Sequence, residues 1–291
     1  MVATFITGAG GGLGRKLIAA LLADPACSRI VAADLTPPYD LEDARIEMAA
    51  GSLLDVDGEW TRAMVGCDTV IHFAAQNPHT DASWADAAAS FDMTMAVFDR
   101  ATFHGVSRVV FASSNHVMGG YKDAPLARDA PGFLTSKLAP APGTRWNTGT
   151  QWMDSTTYAT AKLMGERALH ALVARTTGMT GINIRIGWVQ PGENLPQTIN
   201  VSGDAAFVSS QEPADADGKR DLAWYRAMWL SNRDFARLFT AAITASAEGW
   251  PARCITINGV SGNRGTGWDL SEADRLIGYR PKDDLYAALG Q

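Results

Sequence analysis

The chain has little of what marks a secreted, metal-bound or membrane-embedded protein. Its 291 residues hold only three cysteines. Cys27, Cys67 and Cys254 lie far apart without metal-type spacing, so they read as reduced thiols of a cytoplasmic protein. The five histidines, His72, His79, His104, His116 and His170, form no ligand spacing either, and no metal is expected. No apolar run approaches the roughly 20 residues that a membrane span needs. The opening Met1–Gly8 stretch lacks a basic segment and meets glycine early, which does not read as a signal peptide. Basic residues are outnumbered, 25 Lys and Arg against 31 Asp and Glu, for a formal net charge of -6. That balance disfavours nucleic acid and anionic membrane as partners and favours a small solute.

What is present suits a packed enzyme-sized core. With 46% hydrophobic and 19% charged residues, the chain can bury one α/β domain carrying a smaller appended region. Short β-rich runs alternate with helical patterns in its first half: strands at Val2–Thr7, Arg29–Asp34, within Ile46–Leu53, at Thr69–Phe73 and at Arg108–Ser113, and helices at Gly14–Ala23, Thr61–Val65 and Ala82–His104. This rhythm predicts a doubly wound parallel sheet. Gly119–Thr157 is rich in Pro, Gly, Thr and Asp; its two tryptophans, Trp146 and Trp152, are costly to leave in water and predict an ordered loop over a pocket. Tyr158–Thr176 and Arg233–Ala247 have helical spacing, Gly181–Ile186 and Cys254–Asn258 read as strands, and Gln190–Asp221 is irregular. The expected organisation is a dinucleotide-binding domain over 1–187, with a lid-like insertion at 119–157, and a mainly substrate-binding portion over 188–291 that returns some elements to the core.

Strand one runs into Thr7-Gly8-Ala9-Gly10-Gly11-Gly12-Leu13-Gly14. Glycines there permit a tight turn and a close backbone approach to a pyrophosphate at a helix N-terminus. The fitting set is Gly8, Gly11 and Gly14, a departure from Gly-x-Gly-x-x-Gly, although glycines also make plain turns. Asp34, at the end of strand two, can accept two ribose hydroxyls and would repel a 2′-phosphate, which favours NAD over NADP; read alone, it is equally a strand-end aspartate. Tyr158 and Lys162 stand four apart in a helical pattern, hence on one face. A nearby ammonium is expected to bring a phenol toward the working range of a base. Strand Arg108–Ser113 ends in Ser113-Ser114-Asn115-His116 at the edge where ligands of such sheets bind.

Together with Ile71-His72-Phe73-Ala74-Ala75, these motifs resemble the extended short-chain dehydrogenase/reductases, the superfamily of sugar-nucleotide epimerases and dehydratases. Ser113-Ser114-Asn115-His116, Arg185-Ile186-Gly187 and Gly278-Tyr279-Arg280-Pro281-Lys282-Asp283-Asp284 are similar to the uronate dehydrogenases within it. The resemblance implies NAD as cofactor and oxidation of an anomeric or secondary hydroxyl of a free sugar, sugar acid or related polyol. It implies Ser114, Tyr158 and Lys162 as catalytic residues, and Leu13, Leu35, Leu53, Ala74 and Ala75 beside the cofactor along with the glycines, Asp34, Tyr158 and Lys162. Asn77, Ser114, Asn115, His116 and Trp188 would face the substrate; His116 is alternatively a strand-end histidine. Arg226 and Arg220 are candidates for a substrate carboxylate, each more simply a solvated surface charge. Asn77 and Trp188 replace the family's small polar residues, Ser90 its helix asparagine and Ser52 its adenine aspartate. A homodimer through the Ala82–His104 and Tyr158–Thr176 helices is also implied, although their apolar residues could equally be internal core. Two other readings remain: an NAD-retaining nucleotide-sugar epimerase and a non-catalytic NAD-binding module.

Overall fold

The computed structural model describes residues 2–76, 82–148, 151–200, 213 and 215–291. Its strands are β1 (Val2–Thr7), β2 (Cys27–Asp34), β3 (Ile46–Ala50), β4 (Thr69–His72), β5 (Arg108–Ser114), β6 (Arg145–Asn147), β7 (Trp152–Asp154), β8 (Thr180–Ile186) and β9 (Cys254–Gly259). Its helices are α1 (Gly12–Leu22), α2 (Glu59–Ala63), α3 (Trp84–Phe103), α4 (Thr156–Arg175), α5 (Ala216–Ala227), α6 (Asn232–Thr244), α7 (Ser271–Ile277) and α8 (Leu285–Ala288), with a 3-10 turn at Asn115–Lys122 following β5.

Seven strands form one sheet in the order β3-β2-β1-β4-β5-β8-β9, and every adjacent pair is parallel. The order reverses between β1 and β4, which opens a crevice at the carboxyl ends of these strands. Because successive strand residues point to opposite faces, the sheet fills two cores at once. Ile6, Ile30, Ile71 and Val110 pack with α1, α6 and α7 on one side. Phe5, Val31, Val70 and Val109 pack with α2, α3 and α4 on the other. Such two-sided burial explains why the strands read as continuous apolar runs.

Helix starts are set by local chemistry. Ser83 and Asp86 form a reciprocal capping box that begins α3 at Trp84, and Ser231 caps α6 by accepting from Asp234 N–H. The closing Gly278–Asp284 motif is a clasp: Gly278 ends α7 in the left-handed region, the buried Tyr279 hydroxyl donates to Val260 O at 2.8 Å, and the buried Asp234 carboxylate accepts from the backbone of Lys282 and Asp283.

A third apolar cluster lies off the sheet. It joins Val117, Met118, Leu134 and Trp146 with Leu222, Tyr225, Met228, Trp229, Trp268 and Leu285, so the 119–157 insertion packs with residues that follow Trp188. Trp146 is buried at 2% exposure as expected of an ordered loop, whereas Trp152, at 66%, faces solvent. The difference is register: the two lie on paired strands of the antiparallel β6–β7 hairpin, with Trp152 opposite Asn147 and Met153 opposite Trp146, and alternate residues face opposite sides. α5 corrects the irregular reading of Gln190–Asp221. Asp215 caps it by accepting from Gly218 N–H, and the buried Asp221 carboxylate takes the Lys122 ammonium across to the 3-10 turn.

Candidate active site

The cofactor side is made mostly of backbone. Gly8 has φ +68°, which turns the chain out of β1 against the end of β4. A Cβ at Gly14 would lie 2.3 Å from Gly8 O and 2.6 Å from Ala9 Cα, so only glycine lets α1 close on the loop. Gly11 is the N-cap of α1, and without a side-chain cap the first N–H groups of this helix stay open to an anion. Gly10, absent from the sequence-derived set, belongs with them: a Cβ there would be 2.3 Å from Thr36 O, and its N–H donates to Asp34 Oδ2 at 3.0 Å. Asp34 Oδ1 accepts from Thr36 N–H at 3.1 Å. The carboxylate is thus fixed by two backbone donors at the mouth of the crevice, and a cradle that a single Cβ would fill fits a pyrophosphate.

The side chains around this cradle differ in what they can offer. Leu13, Ala74 and Ala75 are half-buried beside the loop. Leu35 is 73% exposed, while Leu53 is packed into the sheet core with 5% of its surface free. Ser90 acts as a brace, accepting from Gln76 N–H at 2.9 Å and donating to Gln76 O at 3.1 Å. His72, fully buried, lies between Thr7 Oγ1 and Thr94 Oγ1. Burial, with the Lys162 charge second, pushes its pKa down to about 3, leaving a neutral core histidine.

β5 and α4 bring the chemical groups together. At the end of β5 two serines diverge: Ser113 donates to Glu166 Oε1 at 2.6 Å, inside a buried network where Arg185 Nε and Nη2 each lie 2.8 Å from that carboxylate. Ser114 Oγ accepts from His116 N–H at 3.2 Å and lies beside the Tyr158 hydroxyl, whose pKa it pulls down. Burial outweighs that pull and pushes Tyr158 up to about 12. The ammonium expected to lower it does not: burial and Ser114 alone set the shift. Lys162 Nζ sits 5.7 Å from the centre of the phenol ring and donates instead to Ala112 O at 2.8 Å. Burial brings Lys162 itself down to about 8.

On the substrate side, Asn115 Nδ2 donates to Ile186 O at 3.0 Å, tying the 3-10 turn after β5 to β8, and its Oδ1 is buried without a hydrogen-bond partner among the described residues. His116 stands edge-on to Tyr158, with ring centroids 6.0 Å apart, and parallel to Trp146 at 6.3 Å. Trp146 meets Tyr225 at 5.6 Å, and Tyr225 meets Trp188 at 5.4 Å, so an arc of rings leads from the phenol to α5. Tyr225 entered no sequence expectation, since nothing local to α5 marks it. Of the arginine candidates, Arg220 is bound to Asp123 and Asp217 at the surface, which removes it as a substrate clamp, and Arg226 on α5 already has a partner. Asn77 lies outside the described residues.

Comparison with known proteins places this geometry in a family. Residues 4–193 match the NAD dependent epimerase/dehydratase family. L-arabinose 1-dehydrogenase (NAD(P)(+)) of Haloferax volcanii is 30% identical over 287 residues, 96% of each chain. Uronate dehydrogenase of Pseudomonas syringae pv. tomato is 26% identical over 96% of this chain and 81% of its own. The crystal structure of uronate dehydrogenase from Agrobacterium tumefaciens shares the fold with a TM-score of 0.69 at 23% identity, covering 99% of this chain and 86% of that one. A glycine cradle at the sheet's switch point, a serine and a tyrosine meeting over a buried lysine, and a family match spanning most of the sheet all agree: the chain belongs to the NAD dependent epimerase/dehydratase family.

Proposed function

We propose that this protein is an NAD-dependent dehydrogenase that oxidises a free, uncharged sugar, with the anomeric hydroxyl as the reacting group. The observation that carries the reading is the meeting of the Ser114 and Tyr158 hydroxyls above Lys162 at the edge of the glycine crevice. Gly8, Gly10, Gly11 and Gly14 would hold the pyrophosphate and Asp34 the adenosine ribose. Arg15, the cation next to the loop, is ion-paired with Asp40, which supports NAD over its 2′-phosphorylated form. When bound, NAD supplies the hydride acceptor. Tyr158 takes the hydroxyl proton, Ser114 holds the same oxygen, and Lys162 carries the positive charge that keeps the phenolate accessible. A phenol left near 12 by burial needs that help, which fits a base that works only once the crevice is filled.

Charge supports an uncharged substrate. Lys122 is neutralised by Asp221 and Asp123, Arg145 by Asp154, Arg185 by Glu166, and Arg220 by Asp123 and Asp217. The segments 77–81 and 201–214 contain no Lys or Arg. A uronate carboxylate, a sugar phosphate or the diphosphate of a nucleotide sugar would find its natural cations occupied. The name of the Haloferax relative, an L-arabinose 1-dehydrogenase, agrees with a neutral pentose.

A homodimer through α3 and α4 is part of the proposal, supported by Met95, Phe103 and Met164, apolar yet exposed on those helices. So is cytoplasmic residence, with three free, buried cysteines. Purified protein with NAD should form NADH from neutral aldoses. NADH from uronic acids or sugar phosphates alone would overturn the neutral-substrate reading, and tightly retained NAD with no net turnover would favour the epimerase.

A further inference from the structure

His116 is held from one side by two hydroxyls that no motif announces. Its Nδ1 lies 2.8 Å from Thr144 Oγ1 and 2.9 Å from Ser155 Oγ, and both residues are almost wholly buried. Ser155 is the N-cap of α4, where a serine ordinarily accepts a hydrogen bond from the first turn, yet its side chain makes no cap bond. It accepts from Thr144 N–H instead, at 2.8 Å, and turns to the imidazole. Thr144 reaches this position only because residue 119 is glycine, where a Cβ would stand 2.3 Å from Thr144 Oγ1.

Counting protons decides the arrangement. Among the described residues Nδ1 is the only hydrogen-bond partner of Thr144 Oγ1. If Nδ1 carried a proton, the threonine could only accept it, and its own hydroxyl proton would be stranded in a buried site, the costly outcome for a donor. If Nδ1 is bare, the Thr144 hydroxyl donates to it. Ser155 then has a choice of acceptors, Nδ1 at 2.9 Å or Thr144 O at 3.3 Å, and every donor is satisfied. Burial keeps the ring neutral at physiological pH, its pKa pushed down to about 4, so the single ring proton must be on the other nitrogen. That nitrogen, Nε2, has no partner among the described residues.

We propose that Thr144 and Ser155 are positioning residues that lock His116 in the Nε2–H tautomer, so that a neutral N–H donor is aimed at a substrate oxygen beside Tyr158. The donor half of this inference rests on the sugar-dehydrogenase reading; the tautomer half does not. A neutral donor cannot take the proton of the reacting hydroxyl, which leaves Tyr158 as the base, and it selects sugars that carry an oxygen at the contacted carbon.

Histidine side-chain 15N NMR of the intact wild-type protein at neutral pH tests the tautomer directly, with the His116 signals identified by their loss in a His116→Gln variant. The expected pattern is a protonated Nε2 and a bare Nδ1; a protonated Nδ1 overturns the proposal. In kinetics, Thr144→Val should raise KM for the preferred sugar about tenfold while kcat changes much less, the cost of one mis-set neutral hydrogen bond. Thr144→Ser, which keeps the hydroxyl, should restore it. An unchanged KM in a folded Thr144→Val protein also overturns the proposal. The wild-type spectrum needs no variant of the two positioning residues to fold, and a protein with the Nε2–H pattern that oxidises no sugar would refute the dehydrogenase reading alone.

Discussion

Between Thr7 and Asp34 the protein prepares for its ligand with main-chain atoms, at distances where one extra carbon would collide. Beyond Tyr158 it uses large side chains, the rings of His116, Trp146, Tyr225 and Trp188, gathered from separate parts of the chain. The cofactor side is a local turn, and the other is an assembly. Polar satisfaction differs in the same way. Both Asp34 oxygens have donors, whereas Asn115 Oδ1, Trp146 Nε1 and Tyr225 Oη are buried without partners among the described residues. A region made of backbone can be finished before its ligand arrives, while the aromatic side holds polar groups in reserve.

That contrast can be broken most forcefully at the junction. Tyr158→Phe should lower kcat by roughly 10²–10⁴-fold, the usual worth of a positioned acid or base, with NAD affinity by titration calorimetry close to wild type. Wild-type turnover in this variant would sink the mechanism. Asp221→Asn tests the assembled side, because it strips the buried Lys122 ammonium of its nearer partner while Asp123 remains. A loss of about 3 kcal/mol in urea unfolding is expected, near the low end for a broken buried pair; no loss would mean that α5 does not depend on this tie.

Lys162→Met should stabilise the protein at pH 7 while abolishing activity. Burial lowers the ammonium from 10.5 to about 8, so below pH 8 the folded chain carries a proton that costs it stability. Between pH 8 and 10.5 the unfolded chain binds more protons than the folded one, and wild-type stability rises with pH. The variant's advantage should be on the order of 2 kcal/mol at pH 7, after the lost bond to Ala112 is set against it, and should vanish as pH climbs past 10.5. A gap that does not change with pH would contradict it. The smallest effects separate neighbouring glycines on the cofactor side. Gly14→Ala should cost roughly 1–3 kcal/mol of stability by overpacking and weaken NAD binding, whereas Gly12→Ala, which faces open space, should stay within about 0.5 kcal/mol. Equal behaviour of the two in thermal melts would remove the close-approach argument.

How much was readable in the chain follows the same division. Strands β1, β2, β4, β5, β8 and β9 lie within two residues of their sequence readings, because burial on both faces writes each of them as an apolar run. Tyr158, Lys162 and Ser114 were found because helical spacing and a strand end keep their signals within a few residues. α5 was missed: its Asp-Gly start looks like a turn, and only Asp221, Leu222 and Tyr225 on it are buried, too few to set a period. α7 and α8, at 7 and 4 residues, are too short to show one. Thr144 and Ser155 were invisible for another reason. Their partner His116 is 28 and 39 residues away, and a serine just ahead of a helix announces a cap, which is the one bond this serine does not make.

The divergence of Ser113 and Ser114 makes β5 a strand without tolerance for length change. Their hydroxyls are chemically the same, and only the pleat decides which is sealed against Glu166 and which meets the phenol. Deleting one residue ahead of them in β5 would move Ser114 into the post sealed against Glu166 and bring Asn115 to the phenol, leaving the amino-acid inventory almost untouched while the reacting oxygen lost its holder. The seven residues that lead to this centre must be counted out.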